Sequence, residues 1–122
     1  GQPVGHIDYI AVKLGPDGTE EWRWQTGTSN TDWVSGSTIA TDGSIFLFGG
    51  TFSSWMDINA GDADFTVAKL HSNGSFIWGW QGGTTRHEFA EMGGVMADGS
   101  IFFAGPTEGI WNGLNNGGKD FA

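Results

Sequence analysis

Asp32 and Glu88 are the recurrent loop acids of this sequence, each followed by an aromatic residue, Trp33 or Phe89. Two carboxylates converging at about 5 to 10 Å would suit glycoside hydrolysis, one as acid and the other as base or nucleophile. These two lie one repeat apart in equivalent loops, which fits a repeated structural role better than one shared site. A second candidate is D-I-N-A-G-D-A-D, where Asp57, Asn59, Asp62 and Asp64 have the oxygen density of a calcium loop without the D-x-[DN]-x-[DN]-G spacing. The matching stretch keeps only Asn115 and Asp120, so turns are expected there and no metal. His6, His71 and His87 share no equivalent position, and neither a histidine base nor a histidine metal cluster has positional support. With no motif that carries a mechanism, the chain reads as non-enzymatic and free of cofactors.

Tryptophan offers binding chemistry instead. W-x-W-Q-x-G-T occurs twice, as Trp22, Trp24, Gln25, Gly27, Thr28 and as Trp78, Trp80, Gln81, Gly83, Thr84. Aromatic faces suit sugar rings, but alternate residues of a strand share one face. The expectation for Trp22, Trp24, Trp78 and Trp80 is therefore packing between stacked sheets. Trp55 and Trp111 lie mid-loop at equivalent positions, where they either bind a glycan or partner or plug a loop.

These motifs sit within a tandem repeat. Sliding the chain along itself until Trp22 falls on Trp78 superimposes the two halves without insertion, and 22 of the 66 comparable positions are identical. Two whole units, 8–63 and 64–119, follow the tail of a preceding unit (1–7) and precede the start of a third (120–122). The chain lacks an initiator methionine and reads as a processed or internal piece of something longer.

Composition sets the wider limits. Twenty-two glycines, seven tryptophans and nine phenylalanines describe a folded, turn-rich chain rather than a disordered one. A net charge of −9 opposes nucleic-acid binding. No apolar run has the roughly 20 residues of a membrane-spanning helix. Without cysteine there are no disulfides and no thiolate metal sites.

Each unit contains four β segments separated by turn signals. In the first unit they are DYIAVKL, EEWRWQ, WVSGSTIAT and SIFLFGG. In the second they are DFTVAKL, FIWGWQ, FAEMGGVMA and SIFFAGP. GPDG, HSNG, TDGS and ADGS supply tight hairpins, for which type I′ turns are expected. The fold class that follows is all-β, with tandem four-stranded antiparallel β-propeller blades at a 56-residue period, blade 1 over 8–63 and blade 2 over 64–119. A β-solenoid is the competing architecture.

The run D-[YF]-x-x-x-K-L, x-x-[DN]-G, W-x-W-Q-x-G-T, acid plus aromatic, D-G-S-I-F-x-x-G-x-T resembles the SBBP repeats of bacterial-type seven-bladed β-propeller proteins, across nearly all of both units. That resemblance implies a large secreted or surface protein and says little of chemistry.

Connectivity places the two Asx-Gly turns of a unit at one end of the sheet and the longer loops at the other. Partner or ligand contacts are expected on that loop face, from Asp32, Trp55, Arg86, Glu88 and Trp111. Asp8 and Asp64, with the equally recurrent Lys13 and Lys69, are expected to fix blades as hydrogen-bond or ion-pair groups. Asn73-Gly74-Ser75 is a lone glycosylation sequon on an exposed turn. The function that results is a structural or interaction scaffold, extracellular or at the cell surface, whose partners are neighbouring blades, identical subunits, other extracellular proteins or glycans. The alternative is a carbohydrate-binding propeller that uses the loop tryptophans.

Overall fold

In a computed structural model, strands β4 (Ile45–Thr51, IFLFGGT) and β5 (Asp64–Leu70, DFTVAKL) pair antiparallel along their whole length, from Ile45 opposite Leu70 to Thr51 opposite Asp64. Both are apolar on two faces and almost wholly buried, as strands covered on both sides must be. The structure describes residues 8–55, 61, 63–84, 86–88, 90–109 and 120–121. Expectations for 1–7, for Asp57, Asn59, Asp62 and Asn115 and for Trp111 lie outside them.

Around this pair the fold is all-β and antiparallel, and the sheets do not close on themselves. β3 (Asp32–Ile39) flanks β4, and β6 (Phe76–Gly82) flanks β5, giving a four-stranded sheet in the order β3-β4-β5-β6. β1 (Tyr9–Leu14) and β2 (Glu20–Thr26) form a separate hairpin. So do β7 (Met92–Val95) and β8 (Ile101–Ala104), while β9 (Pro106–Thr107) pairs with β10 (Asp120–Phe121).

This grouping corrects the expected sheet boundaries. The four-stranded sheet takes its inner pair from across the boundary at 63/64, not one sheet from 8–63 and another from 64–119. The physical reason is visible in the strands. The long connection after Thr51 brings back the most apolar strand, which buries best beside β4. The short connection after β2 instead turns the chain into the next layer, because β2 (EEWRWQT) and β3 (DWVSGSTI) carry the polar residues that sheet edges tolerate.

The hairpins cover opposite faces of the central sheet. Tyr9, Leu47, Ala68 and Leu70 form the core on the β1–β2 side, with Ala11, Trp22, Trp24, Ile45 and Trp55 packed against it. Phe46, Phe48, Phe65, Val67 and Ala90 form the core on the β7–β8 side, with Val95, Ile101 and Phe103. The layers are thus offset copies: Tyr9 and Leu47 on one side match Phe65 and Phe103 on the other.

The tight turns depart from type I′. Positive φ occurs only at Gly18, Gly43, Gly74 and Gly99 among the described residues, and never at the preceding Asx residue. Each Asx side chain instead accepts the amide two residues on: Asp17 from Thr19, Asp42 from Ser44, Asn73 from Ser75 and Asp98 from Ser100, at 2.9 to 3.0 Å. Turns 41–44 and 71–74 lie side by side, so that a β-carbon on Gly43 would stand 3.3 Å from that of Ser72. At the other end Asn30 donates to the Ser53 hydroxyl at 3.0 Å, joining the two longer connections.

Candidate functional site

The residues after W-x-W build one polar corner per repeat. Where β2 ends, Gln25 donates its amide to Asp8 at 3.3 Å, and where β6 ends Gln81 donates to Asp64 at 3.2 Å. Two residues on, Gly27 and Gly83 lie against these acids. A β-carbon on Gly83 would stand 2.6 Å from both Asp64 Oδ1 and Glu88 Oε2, and one on Gly27 would run into Asp8 Oδ1 and stand 2.9 Å from Asp32 Oδ2. Only glycine leaves room for two carboxylates to approach the backbone here.

The threonines complete the corner. Asp32 accepts the Thr28 amide at 2.6 Å, the Thr28 hydroxyl at 3.1 Å and the Thr51 hydroxyl at 2.5 Å. Glu88 accepts the Thr84 amide at 2.9 Å, the Thr84 hydroxyl, and the Thr107 hydroxyl at 2.8 Å. The same threonine oxygens accept amides further along: Asn30 and Arg86 donate to Thr28 and Thr84, Ser53 and Gly109 to Thr51 and Thr107, each at 3.1 Å. Asp32, Asp64 and Glu88 are fully buried. Buried carboxylates are tolerated when donors surround them, and charge-assisted bonds of this kind are the stronger ones.

Chemically the corner is a clamp. It holds the turn between layers by its own side chains and points inward, so Asp32 and Glu88 are corrected from partner-facing loop acids to loop-fixing ones. Among the described residues no group of three His, Cys, Asp or Glu side chains is placed to hold a metal ion. Tyr9, wholly buried, bonds the Thr66 hydroxyl. Burial raises its phenol well above the ordinary value and the Asp32 charge adds to this, while the Thr66 bond opposes it, so the phenol stays protonated.

The loop tryptophan Trp55 is also an anchor. Its ring meets Tyr9 edge-on at 4.3 Å between centroids, and its amide donates to Gln81 Oε1 at 2.8 Å. Gln81 in turn donates to the Ser53 carbonyl at 2.8 Å, tying the long connection to β6. The expectation of Trp55 as an outward ligand platform is corrected accordingly. Arg86 does stand exposed on the loop face.

The four strand tryptophans divide. Trp22 donates its indole N–H to the Ser72 carbonyl at 3.0 Å, and Trp24 stacks on Phe76 at 6.0 Å with an interplanar angle of 7°. Trp78 and Trp80 are 37% and 40% exposed and, with Val67, Gly79, Ile101 and Phe103, line an apolar groove of about 400 Å³. The expected pairing of Asp8 and Asp64 with Lys13 and Lys69 is not made. Each acid lies five positions along an extended strand from its lysine, about 17 Å, which places the two at opposite ends. Lys13 instead meets Glu21 at 3.2 Å, and Lys69 lies over the Phe46 ring at 5.4 Å.

Sequence reasoning gave no role to Thr51 and Thr107 or to the two glutamines. Their signal was the identical spacing in both units, Gln–x–Gly–Thr with an acid four residues after the threonine. Compared with known proteins, the chain matches no family model and no curated protein.

Proposed function

We propose that this chain is a non-enzymatic structural and interaction module built of β-propeller-type blades of the SBBP kind, working as part of a larger extracellular or cell-surface scaffold. The observation that carries this reading is the repetition of the polar corner, bond for bond, from one repeat to the next, with its acids turned inward on threonines. A recurring, buried and internally satisfied acid serves a stacking unit, whereas a catalytic acid must meet a substrate. The offset layers support the same reading. A four-stranded sheet flanked on each face by a two-stranded piece of the same pattern is what a short window on a blade stack would contain. In this reading the blade runs from the third segment of one unit to the second of the next, 32–82, out of phase with the sequence unit.

The experiment is a comparison of folding with turnover. Asp32→Asn and Glu88→Gln are expected to lower the melting temperature of the chain, and a broad glycosidase screen of the unmodified protein to show no turnover. Turnover that disappears in Glu88→Gln while the melting temperature stays unchanged would overturn the scaffold reading in favour of a hydrolase.

A further inference from the structure

Two edges of this molecule are open, and they are complementary. β5 is paired on both sides, by β4 and by β6. Its counterpart β1, one repeat earlier, pairs only with β2 among the described residues. Likewise β4 is paired on both sides, whereas its counterpart β8 pairs only with β7 among the described residues. The β4–β5 ladder, the best buried in the fold, is therefore present once in full and once as two separated halves within a single chain.

The exposed apolar side chains follow the same division. Ile10, Val12 and Leu14 form a row on the outer face of β1, 51%, 46% and 57% exposed. Their counterparts Thr66, Ala68 and Leu70 are buried beneath the β1–β2 hairpin. Phe102 on β8 is half exposed, while its counterpart Phe46 is 2% exposed and lies in the core against Val95 and Ile101. The residues matching Val95 and Ile101 one repeat earlier are Ile39 and Ile45, and both line an open cleft of about 600 Å³ beside β1. The structure even begins the missing ladder: Asp120 and Phe121 pair with Thr107 and Pro106 in the register that Asp64 and Phe65 keep with Thr51 and Gly50.

We propose that β8 of one copy pairs antiparallel with β1 of a second copy, completing a four-stranded sheet β7-β8-β1-β2 in the register of β3-β4-β5-β6. The strand that β8 accepts is specified by the two rungs already laid, since Asp8-Tyr9 of the second copy repeats Asp120-Phe121 with one aromatic exchanged. Ile101 then faces Leu14 of the second copy, Phe103 faces Val12 and Ala104 faces Ala11. Phe102 enters the second copy's cleft, lined by Ile39 and Ile45, and the second copy's Ile10, Val12, Leu14 row closes the groove over Trp78 and Trp80 of the first. The contact is head-to-tail, so each copy keeps one free edge of each kind, and the assembly grows into a ring or a filament. With a net charge of −9 on every copy, association strengthens as salt is added.

This inference rests on the scaffold reading but fails separately from it. Sedimentation of the chain, across concentrations and at low and high salt, is expected to show species larger than a dimer that grow with concentration. Val12→Asp and Phe102→Asp change exposed residues and are expected to leave the circular dichroism spectrum intact. Each variant alone is expected to sediment as a monomer, and an equimolar mixture of the two as a discrete dimer, because each retains the surface the other lacks. A folded monomer of the unmodified chain, which is what a further repeat in the same polypeptide or a partner of other chemistry would leave, overturns the seam and spares the scaffold. A mixture that stays monomeric, or association indifferent to both variants, overturns it equally. Failure of the unmodified chain to fold cooperatively would remove both readings.

Discussion

Glu88 stands where Asp32 stands one repeat earlier, one methylene longer, and its carboxylate accepts the same three hydrogen bonds: the amide and hydroxyl of the threonine four residues before it, and the hydroxyl of Thr107 in place of Thr51. The site therefore requires an acceptor at a fixed place rather than one particular acid. Asp32→Ala leaves two hydroxyls and an amide without their acceptor in a buried corner, which costs about 3 kcal/mol. In a domain of this size the melting temperature should fall by about 10 °C or more. Glu88→Asp keeps the acceptor and is expected to cost less than about 1 kcal/mol. Thermal unfolding followed by circular dichroism separates the two, and equal losses would contradict the acceptor argument.

The division among the strand tryptophans gives a second expectation. Trp24 touches Phe76 and Tyr9, and Trp22 lies on the turn at Ser72, so truncating either to alanine removes packing on the central sheet. Half-buried as they are, each should cost about 2 kcal/mol, below the ~3–5 kcal/mol of a fully buried tryptophan. Trp78→Ala and Trp80→Ala should cost under about 1 kcal/mol in the monomer, because their groove is open. Denaturant midpoints of the four variants decide it, and a ranking in the opposite order would mean that the hairpins cover the faces differently.

Much of this fold is legible in the sequence because a tandem period constrains every position twice. The four segments, the hairpins and the placing of turns and loops at opposite ends all follow from Asx-Gly spacing and β-branched runs. What the pattern conceals is phase. A tandem repeat looks the same wherever it is cut, and the sheet is decided by which strands bury both faces, here IFLFGGT and DFTVAKL. The candidate site was hidden for a related reason. Asp32 and Glu88 are visible as recurrent acids, but their direction depends on Thr51 and Thr107, distant in sequence and, for Asp32 and Thr51, opposite only once β3 and β4 are paired. Trp55 likewise looks like a loop tip until Gln81, far along the chain on β6, is brought to its amide.

Gly49 marks where the layers come closest. A β-carbon there would collide with the Trp33 carbonyl oxygen and stand 2.8 Å from the Tyr9 hydroxyl. Backbone cannot give way as a flexible side chain can, so Gly49→Ala is expected to cost about 3 kcal/mol or more, at or beyond the usual range for overpacking. Gly36→Ala is the control on the neighbouring strand, with its nearest contact at 3.6 Å, and should be nearly neutral. A Gly49→Ala variant as stable as the parent in chemical denaturation would mean that β3 and β4 lie farther apart than described.

The turns supply a pH dependence with a built-in control. Backbone hydrogen bonds from Thr19, Ser44 and Ser100 hold the carboxyls of Asp17, Asp42 and Asp98 below their ordinary value of 3.8. A carboxyl whose value is lowered on folding stabilises the fold above the unfolded value, and that contribution disappears as the pH falls through the folded one. The three turns should therefore loosen as the solution is acidified below about pH 4. The fourth turn carries Asn73, which makes the same bond to the Ser75 amide without a titrating group. Amide exchange read by NMR should show Thr19, Ser44 and Ser100 losing protection in acid while Ser75 keeps it. Asn73→Asp should transfer the acid sensitivity to the fourth turn, and a Ser75 amide that remains indifferent to pH in that variant would show that the side-chain bond is not what holds these turns.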